Sequence, residues 1–153
     1  MNGTIADRVR NKSRIHLDSM TVIYFIERNP TYRPIVRPLF ELVDTGELTG
    51  LSSYVTLLEV MVQPIRSGRL DLAQEYRNIL VRSRNILLFP VDRSIAEAGA
   101  DIRARYGIRT PDAIQLATAL RQGADVFVTN DNRLRHFDRL EVVVLDDFLS
   151  IGR

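Results

Sequence analysis

Short apolar runs alternate with longer amphipathic segments along the chain, a pattern typical of an α/β protein. The apolar runs predict strands at residues 15–17, 48–51, 86–91, 125–129 and 141–145. The amphipathic segments predict helices at residues 19–27, 34–43, 53–62, 70–82, 94–106 and 110–122, with a helical turn at 132–137 and a short helix near the C-terminus. Because right-handed crossovers join such strands, we expect a three-layer α/β/α sandwich with a short, mostly parallel central sheet.

Proline residues mark where several of these helices should begin and end. Pro30 and Pro64 should lie just beyond the ends of two helices, because the residue before a proline disfavours the helical conformation. Thr110 should cap the last long helix, with Pro111 in the first helical position, where a missing N–H costs nothing. The same signals reveal no linker and no internal repeat.

The first residues differ in character from the rest of the chain. Residues 1–13 are polar and basic, and we expect a flexible N-terminal arm followed by a single domain at residues 14–149. The arm lacks the apolar segment of a signal peptide, and no apolar run approaches the roughly 20 residues that a membrane-spanning helix needs. Together with the absence of cysteine, which suits a reducing compartment, this predicts a cytoplasmic protein that does not bind membranes.

The composition excludes several classes of enzyme. Without cysteine, and with only His16 and His136 as histidines, the chain cannot supply the ligands of a typical zinc site. Lys12 is the only lysine among 21 basic residues, which excludes P-loop and Schiff-base enzymes. The net charge of +2 does not by itself require a nucleic-acid partner.

Four acidic residues stand at notable positions in the predicted elements. Asp18 directly follows the first strand, and Asp131 follows the fourth. Glu59 lies inside an apolar helix, where we expect its carboxylate to be partly buried, and Asp112 lies in the first turn of another helix. Taken singly, each has an ordinary structural role as a helix cap, a solvated side chain, a partner of the helix dipole or a turn residue.

Taken together, the four acids predict a metal site. The carboxyl ends of parallel strands meet at one edge of a sheet, and two helices can bring the other acids over that edge. Clustered carboxylates repel one another unless cations neutralise them, and hard oxygen ligands favour Mg²⁺ or Mn²⁺. A cation bound there would activate water and stabilise a phosphoryl centre, which indicates hydrolysis of phosphodiester bonds.

Four segments carry a resemblance to a known family. Ile15–Ser19, Leu57–Val60, Thr110–Ala119 and Val128–Asp131 resemble, in order and spacing, the four motifs of PIN-domain ribonucleases. The resemblance spans residues 14–149 and is most specific in the third segment. The small size and that segment look most like the VapC-type toxins of bacterial toxin–antitoxin pairs.

The resemblance implies an endoribonuclease that depends on Mg²⁺ or Mn²⁺ and cleaves RNA. Asp18, Glu59 and Asp112 would ligate the metal, and Asp131 would complete the acidic pocket or hold a second, weaker metal. Thr129 and Ser19 would orient carboxylates through their hydroxyl groups. A small DNA-binding antitoxin would be the protein partner. Three arginines close to the acids are candidates for binding RNA phosphates: Arg109, Arg133 and Arg135. An ordinary position on the solvent-exposed surface explains their presence equally well.

The resemblance also implies a homodimer formed through the early helices. These helices carry more apolar residues than two short helices need for one core: Val22, Tyr24, Phe25, Ile26, Val36, Leu39, Phe40 and Val43. His16 alternates with apolar residues in the first strand, so we expect it to be a hydrogen-bonded structural residue.

Other functions explain the acids less well. A haloacid-dehalogenase-type phosphatase needs a second aspartate two positions after the first, where this chain has Met20, and it also needs a lysine. A phospho-accepting receiver domain needs paired acids near its start and a lysine late in the chain. A catalytically idle PIN domain that acts as a binding module is disfavoured by the four intact acids. A housekeeping RNA-processing nuclease of the PIN type remains the main alternative to a toxin.

Overall fold

The computed structural model describes residues 3–149. In that range the helices are α1 (Ile5–Val9), α2 (Ser19–Ile26), α3 (Arg33–Asp44), α4 (Tyr54–Arg66), α5 (Leu70–Leu80), α6 (Arg93–Tyr106) and α7 (Thr110–Arg121). The strands are β1 (Arg14–Leu17), β2 (Thr49–Ser53), β3 (Ile86–Phe89), β4 (Val126–Thr129) and β5 (Glu141–Val144). Two short 3₁₀ helices lie at Asn132–His136 and Leu145–Phe148. No helix in the described range is both long enough and apolar enough to cross a bilayer.

The strands form one sheet in the order β3-β2-β1-β4-β5, and every pair is parallel. The prediction of a mostly parallel sheet is therefore confirmed. Strand β1 lies at the centre, where His16 is in register with Leu51 of β2 on one side and Phe127 of β4 on the other. Asp18 and the residues after Thr129 consequently leave the sheet at the same edge.

Each face of the sheet has its own apolar core, which confirms the three-layer α/β/α sandwich. On one face, Ile15 and Leu17 pack with the apolar residues of α1 to α5. On the other face, Phe127 packs with residues of α6 and α7, among them Ile102 and Leu116. Successive strand residues alternate between the two cores because side chains point to opposite faces of a strand.

Part of the predicted flexible arm is instead folded. Thr4 and Asp7 form a capping box, and Ile5 and Val9, one turn apart, are buried in the first core. Arg8 lies 3.0 Å from Glu141 of β5 and adds a surface ion pair. The sequence pattern did not predict this helix because five residues are too few to show a helical period.

Two predicted helix boundaries are wrong. Helix α4 continues past Pro64 to Arg66, because a proline near the end of a helix removes only one hydrogen bond from the last turn. Arg109, not Thr110, is the N-cap of α7, and the Thr110 hydroxyl accepts a hydrogen bond from Arg103 instead.

The apolar residues of α2 and α3 do not form a free surface. Val22, Val36 and Leu39 have no exposed area, and the remaining members of that group are buried or half-buried within the first core. The surplus on which we based a dimer through these helices is therefore absent, although the dimer itself stays a prediction that light scattering would test. In α2, Met20 is 42% exposed. Four exposed apolar side chains lie in a row along α4, which we call the α4 stripe: Tyr54, Leu58, Val62 and Ile65.

Candidate active site

A pocket of about 520 Å³ lies at the carboxyl edge of β1 and β4. Its lining includes all four acids that the sequence analysis selected: Asp18, Glu59, Asp112 and Asp131. A larger groove of about 850 Å³ lies at the far end of α3, between Phe40 and Ile86, and contains none of the predicted site residues. The smaller pocket is therefore the candidate active site.

Asp18 forms the floor of this pocket and is also the N-cap of α2. One carboxylate oxygen accepts hydrogen bonds from the backbone N–H of Thr21 at 3.1 Å and from its hydroxyl at 2.9 Å. The other accepts a hydrogen bond of 2.5 Å from the hydroxyl of Thr129, at the end of β4. The capping role is thus real, but it is combined with a place at the centre of the acidic pocket.

Burial raises the pKa of Asp18 to about 6, and the nearby charge of Asp112 adds to this effect. The hydrogen bonds from Thr129 and Thr21 act in the opposite direction, because they stabilise the ionised form. Asp18 is therefore a carboxylate that is costly to keep charged, and a nearby cation would relieve that cost.

Asp112 and Asp131 are each held by an arginine but differ in their titration. Burial raises the pKa of Asp112, although Arg109 lies 3.4 Å away and favours its charged form. Arg133 donates to both carboxylate oxygens of Asp131, at 3.0 and 2.7 Å, and lowers its pKa. Asp131 also caps the 3₁₀ helix that follows it, accepting from the backbone N–H of Arg133 at 2.9 Å.

Glu59 lies at the exposed rim of the pocket, so the expectation of a partly buried carboxylate is wrong. Some of the apolar residues around Glu59 belong to the α4 stripe and face solvent, as Leu58 does at 65% exposure, so they do not bury the carboxylate. The carboxylate accepts a hydrogen bond of 2.5 Å from the hydroxyl of Ser19. Ser19 therefore contacts a site carboxylate, although not the one next to it in sequence.

The three candidate arginines occupy different places. Arg109 lines the pocket, and Arg133 reaches it through Asp131. Arg135 instead forms a bidentate ion pair with Asp147, at 2.7 and 2.9 Å, and does not line the pocket. The geometry thus separates two arginines whose ion-pair partners line the pocket from one whose partner lies outside it.

Several pocket residues escaped the sequence analysis. Tyr24 lines the pocket and accepts a 3.4 Å hydrogen bond from Asn130, whose side-chain oxygen in turn accepts from the backbone N–H of Asp146. Gln115, one turn after Asp112, is buried and also borders the pocket. A glutamine on the buried face of an apolar helix was a signal that it has a polar partner.

The donor chemistry of the pocket fits a hard divalent cation, because every candidate ligand is a carboxylate oxygen. Burial and mutual repulsion make Asp18 and Asp112 harder to ionise, which a cation would reverse. Within residues 3–149, however, no three acidic or histidine side chains form a preassembled ligand cluster. Arg109 and Arg133 hold two of the acids in their present orientations.

The sequence profile of the PIN domain matches residues 15–140, and the chain belongs to this family. The match covers all four acids of the pocket. No curated protein sequence matches the chain.

Solved structures of toxin–antitoxin proteins have the same fold. The chain is 16% identical to a VapBC2 chain from Rickettsia felis, in a complex with a promoter DNA fragment, with a TM-score of 0.68 over 86% of this chain and 98% of that chain. A toxin–antitoxin complex from Klebsiella pneumoniae gives 20% identity and a TM-score of 0.66 over 86% and 97% of the two chains. VapC20 from Mycobacterium tuberculosis, a toxin that cleaves the sarcin–ricin loop, gives 15% identity and a TM-score of 0.61 over 82% of this chain and 90% of that chain.

Proposed function

We propose that this protein is a metal-dependent endoribonuclease and the toxin of a type II toxin–antitoxin pair. One observation carries the proposal: four acids from distant parts of a PIN-domain chain line one pocket at the carboxyl edge of the sheet. The structural neighbours include toxin–antitoxin complexes and a toxin that cleaves the sarcin–ricin loop, and this supports the proposed biological role.

Asp18, Glu59, Asp112 and Asp131 would hold Mg²⁺ or Mn²⁺. When bound, the cation would lower the pKa of a water molecule and neutralise charge on the scissile phosphate. Thr129 and Thr21 keep the Asp18 carboxylate in a fixed orientation, and Ser19 does the same for Glu59.

Arg109 and Arg133 would bind the RNA backbone on either side of the acids. In the structure their guanidinium groups are occupied by Asp112 and Asp131. Once those carboxylates are neutralised by other charge, both arginines are free to bind phosphate oxygens in a bidentate manner.

The protein inhibitor of such a toxin would match two neighbouring features of the surface, the acidic pocket and the α4 stripe. Glu59 and the α4 stripe lie on the same helix, so an acidic pocket adjoins a row of exposed apolar side chains, including Leu58 and Ile65 at 65% and 58% exposure. A partner segment with apolar residues at helical spacing and one arginine or lysine would cover the stripe and neutralise the pocket. We identify it with the tail of a small DNA-binding antitoxin.

The nuclease activity is tested by incubating the purified chain with RNA in Mg²⁺, Mn²⁺ or EDTA. Cleavage should require the metal, and Asp18→Asn should abolish it. Asp92→Asn is the matched control. Asp92 also caps a helix, since its carboxylate accepts a 2.9 Å hydrogen bond from the backbone N–H of Ile95, but it lies outside the pocket. Full activity in EDTA, or equal activity of the Asp18 and Asp92 variants, would contradict the mechanism.

The toxin role is tested in cells. Expression of this chain alone should stop growth, and co-expression of the small reading frame next to its gene should restore it. Substitution of Leu58 by aspartate should prevent that rescue while leaving RNA cleavage intact. Normal growth with the active chain alone, and no co-purifying product, would favour the housekeeping nuclease.

A further inference from the structure

Four buried polar side chains form a continuous chain of hydrogen bonds beneath the acidic pocket. His16 Nε2 lies 2.7 Å from Gln115 Oε1, Gln115 Nε2 lies 2.6 Å from Thr56 Oγ1, and Ser52 Oγ lies 2.7 Å from Thr56 Oγ1. Ser52 Oγ also lies 2.6 Å from the backbone oxygen of Leu17. The four side chains are between 0% and 2% exposed, so water does not compete for these bonds. We call them the buried polar chain.

The number of protons on each group determines which partner donates in every hydrogen bond of the buried polar chain. The Leu17 carbonyl can only accept, so Ser52 donates its single hydroxyl proton there. Thr56 accepts from the Gln115 amide and donates to Ser52. Gln115 Oε1 can only accept, so the His16 ring carries its proton on Nε2. Burial lowers the pKa of His16 to about 4, in agreement with a neutral ring.

The buried polar chain connects the three elements that position Asp18, Glu59 and Asp112. Leu17 is adjacent to Asp18 in the β1–α2 junction. Thr56 lies one helical turn before Glu59 in α4, and Gln115 lies one turn after Asp112 in α7. His16, Leu17, Thr56 and Gln115 therefore each lie within three residues of a carboxylate that lines the pocket, and Ser52 of β2 links Thr56 to Leu17.

Stability alone does not explain why these residues are polar. Buried hydrogen-bonded groups give a small net stabilisation, and an apolar set of the same shape can do as well. Among the described residues, His16 Nδ1 is the one buried side-chain polar atom without a hydrogen-bond partner, which adds a cost. The directional bonds do offer what apolar contacts lack, a fixed distance and angle between elements.

We propose that Ser52, Thr56, Gln115 and His16 are positioning residues that fix Asp18, Glu59 and Asp112 relative to one another for metal binding. This inference rests on the proposed nuclease function and extends it to residues that do not touch the metal. Thr56 is the central member, because it bonds both to the α7 side and to the β2 side, yet it does not line the pocket.

The test compares two isosteric substitutions. Thr56→Val removes the central hydroxyl, and Thr118→Val is its matched control: Thr118 is equally buried, but its hydroxyl bonds only to the Ile114 carbonyl of its own helix, at 2.8 Å. We expect Thr56→Val to weaken Mn²⁺ binding, measured by calorimetry on the folded protein, by about ten- to a hundred-fold. The kcat for RNA cleavage should fall with it while the KM for RNA stays the same, and Thr118→Val should change neither.

Rescue separates positioning from general structural damage. Thr56→Ser keeps the hydroxyl and should restore Mn²⁺ binding even if it lowers the melting temperature as much as valine does. Gln115→Met removes the next member at similar volume and should repeat the loss, which keeps the test open if Thr56→Val folds poorly. Equal Mn²⁺ affinity in the Thr56→Val, Gln115→Met and Thr118→Val proteins would overturn the inference while leaving the nuclease intact. A wild-type protein that neither binds Mn²⁺ nor cleaves RNA would overturn the proposed function, and this inference with it.

Discussion

The hydroxyl of Thr129 donates a hydrogen bond of 2.5 Å to the carboxylate of Asp18, across the pairing of β4 with β1. The same hydroxyl oxygen accepts a hydrogen bond of 3.1 Å from the backbone N–H of Asp131. One side chain at the end of a strand therefore orders two of the four acids. This explains in physical terms why a threonine stands two residues before the aspartate.

Replacing Thr129 by valine should raise the pKa of Asp18 further above its ordinary value. The substitution removes a hydrogen bond that favours the ionised carboxylate, while the burial that disfavours it remains. The carboxyl signal of Asp18 in metal-free protein, followed by NMR as a function of pH, measures this directly. Thr118→Val is the control, and an unchanged Asp18 titration would show that the short contact does not influence the charge.

Asp18 and His16 should have opposite effects on stability between about pH 4 and 6.5. The folded-state pKa of His16 is about 4, below its ordinary 6.5, so acidification protonates the unfolded chain first and lowers stability. The folded-state pKa of Asp18 is about 6, above its ordinary 3.8, so acidification protonates the folded chain first and raises stability. In the wild-type protein the two effects largely cancel.

Asp18→Asn should expose the effect of His16. Asparagine still caps a helix but does not titrate, so only the histidine contribution remains. We expect the free energy of unfolding of this variant to fall by roughly 2 kcal/mol more than that of the wild type on going from pH 6.5 to pH 4. Urea denaturation at a series of pH values measures the difference. Parallel curves for the two proteins would mean that Asp18 titrates normally.

Neutralising Asp112 and neutralising Asp131 should have opposite effects on the metal-free protein. Burial raises the pKa of Asp112, so Asp112→Asn should raise the melting temperature or leave it unchanged. Arg133 lowers the pKa of Asp131 through a direct ion pair, and Asp131→Asn removes that pair while it keeps the helix cap, so it should cost up to about 1 kcal/mol. Thermal melts with and without Mg²⁺ test both, and Mg²⁺ should raise the melting temperature of the wild type. A large loss of stability in Asp112→Asn would identify that residue as structural.

Arg109 and Arg135 provide a matched pair for RNA binding. Arg109 lines the pocket, whereas Arg135 is paired with Asp147 outside it. Arg109→Ala should raise the KM for RNA and reduce the slope of its dependence on salt concentration by about 0.7, the value expected for one lost phosphate contact on a single strand. Arg135→Ala should change neither quantity. Equal effects of the two substitutions would indicate a diffuse basic surface rather than contacts at the pocket.

The sequence was informative wherever a local pattern reports on the fold. Apolar runs located all five strands. Because Asp18 and Asp131 each follow a strand of a parallel sheet, the sequence also predicted that they lie at the same edge of the sheet. It was misleading at Glu59, because an apolar helix face can be buried in the core or left open at the surface, and the pattern is the same in both cases. It could not show the pairing of His16 with Gln115, because those residues are 99 positions apart and no single motif contains both of them.

The central position of β1 determines when the pocket can exist. Strand β1 carries the first acid, yet its neighbour β4, which leads to the last one, is made more than a hundred residues later. On a growing polypeptide the proposed nuclease site would therefore stay incomplete until nearly the whole domain has been translated, because its first acid waits for the strand that brings the last one.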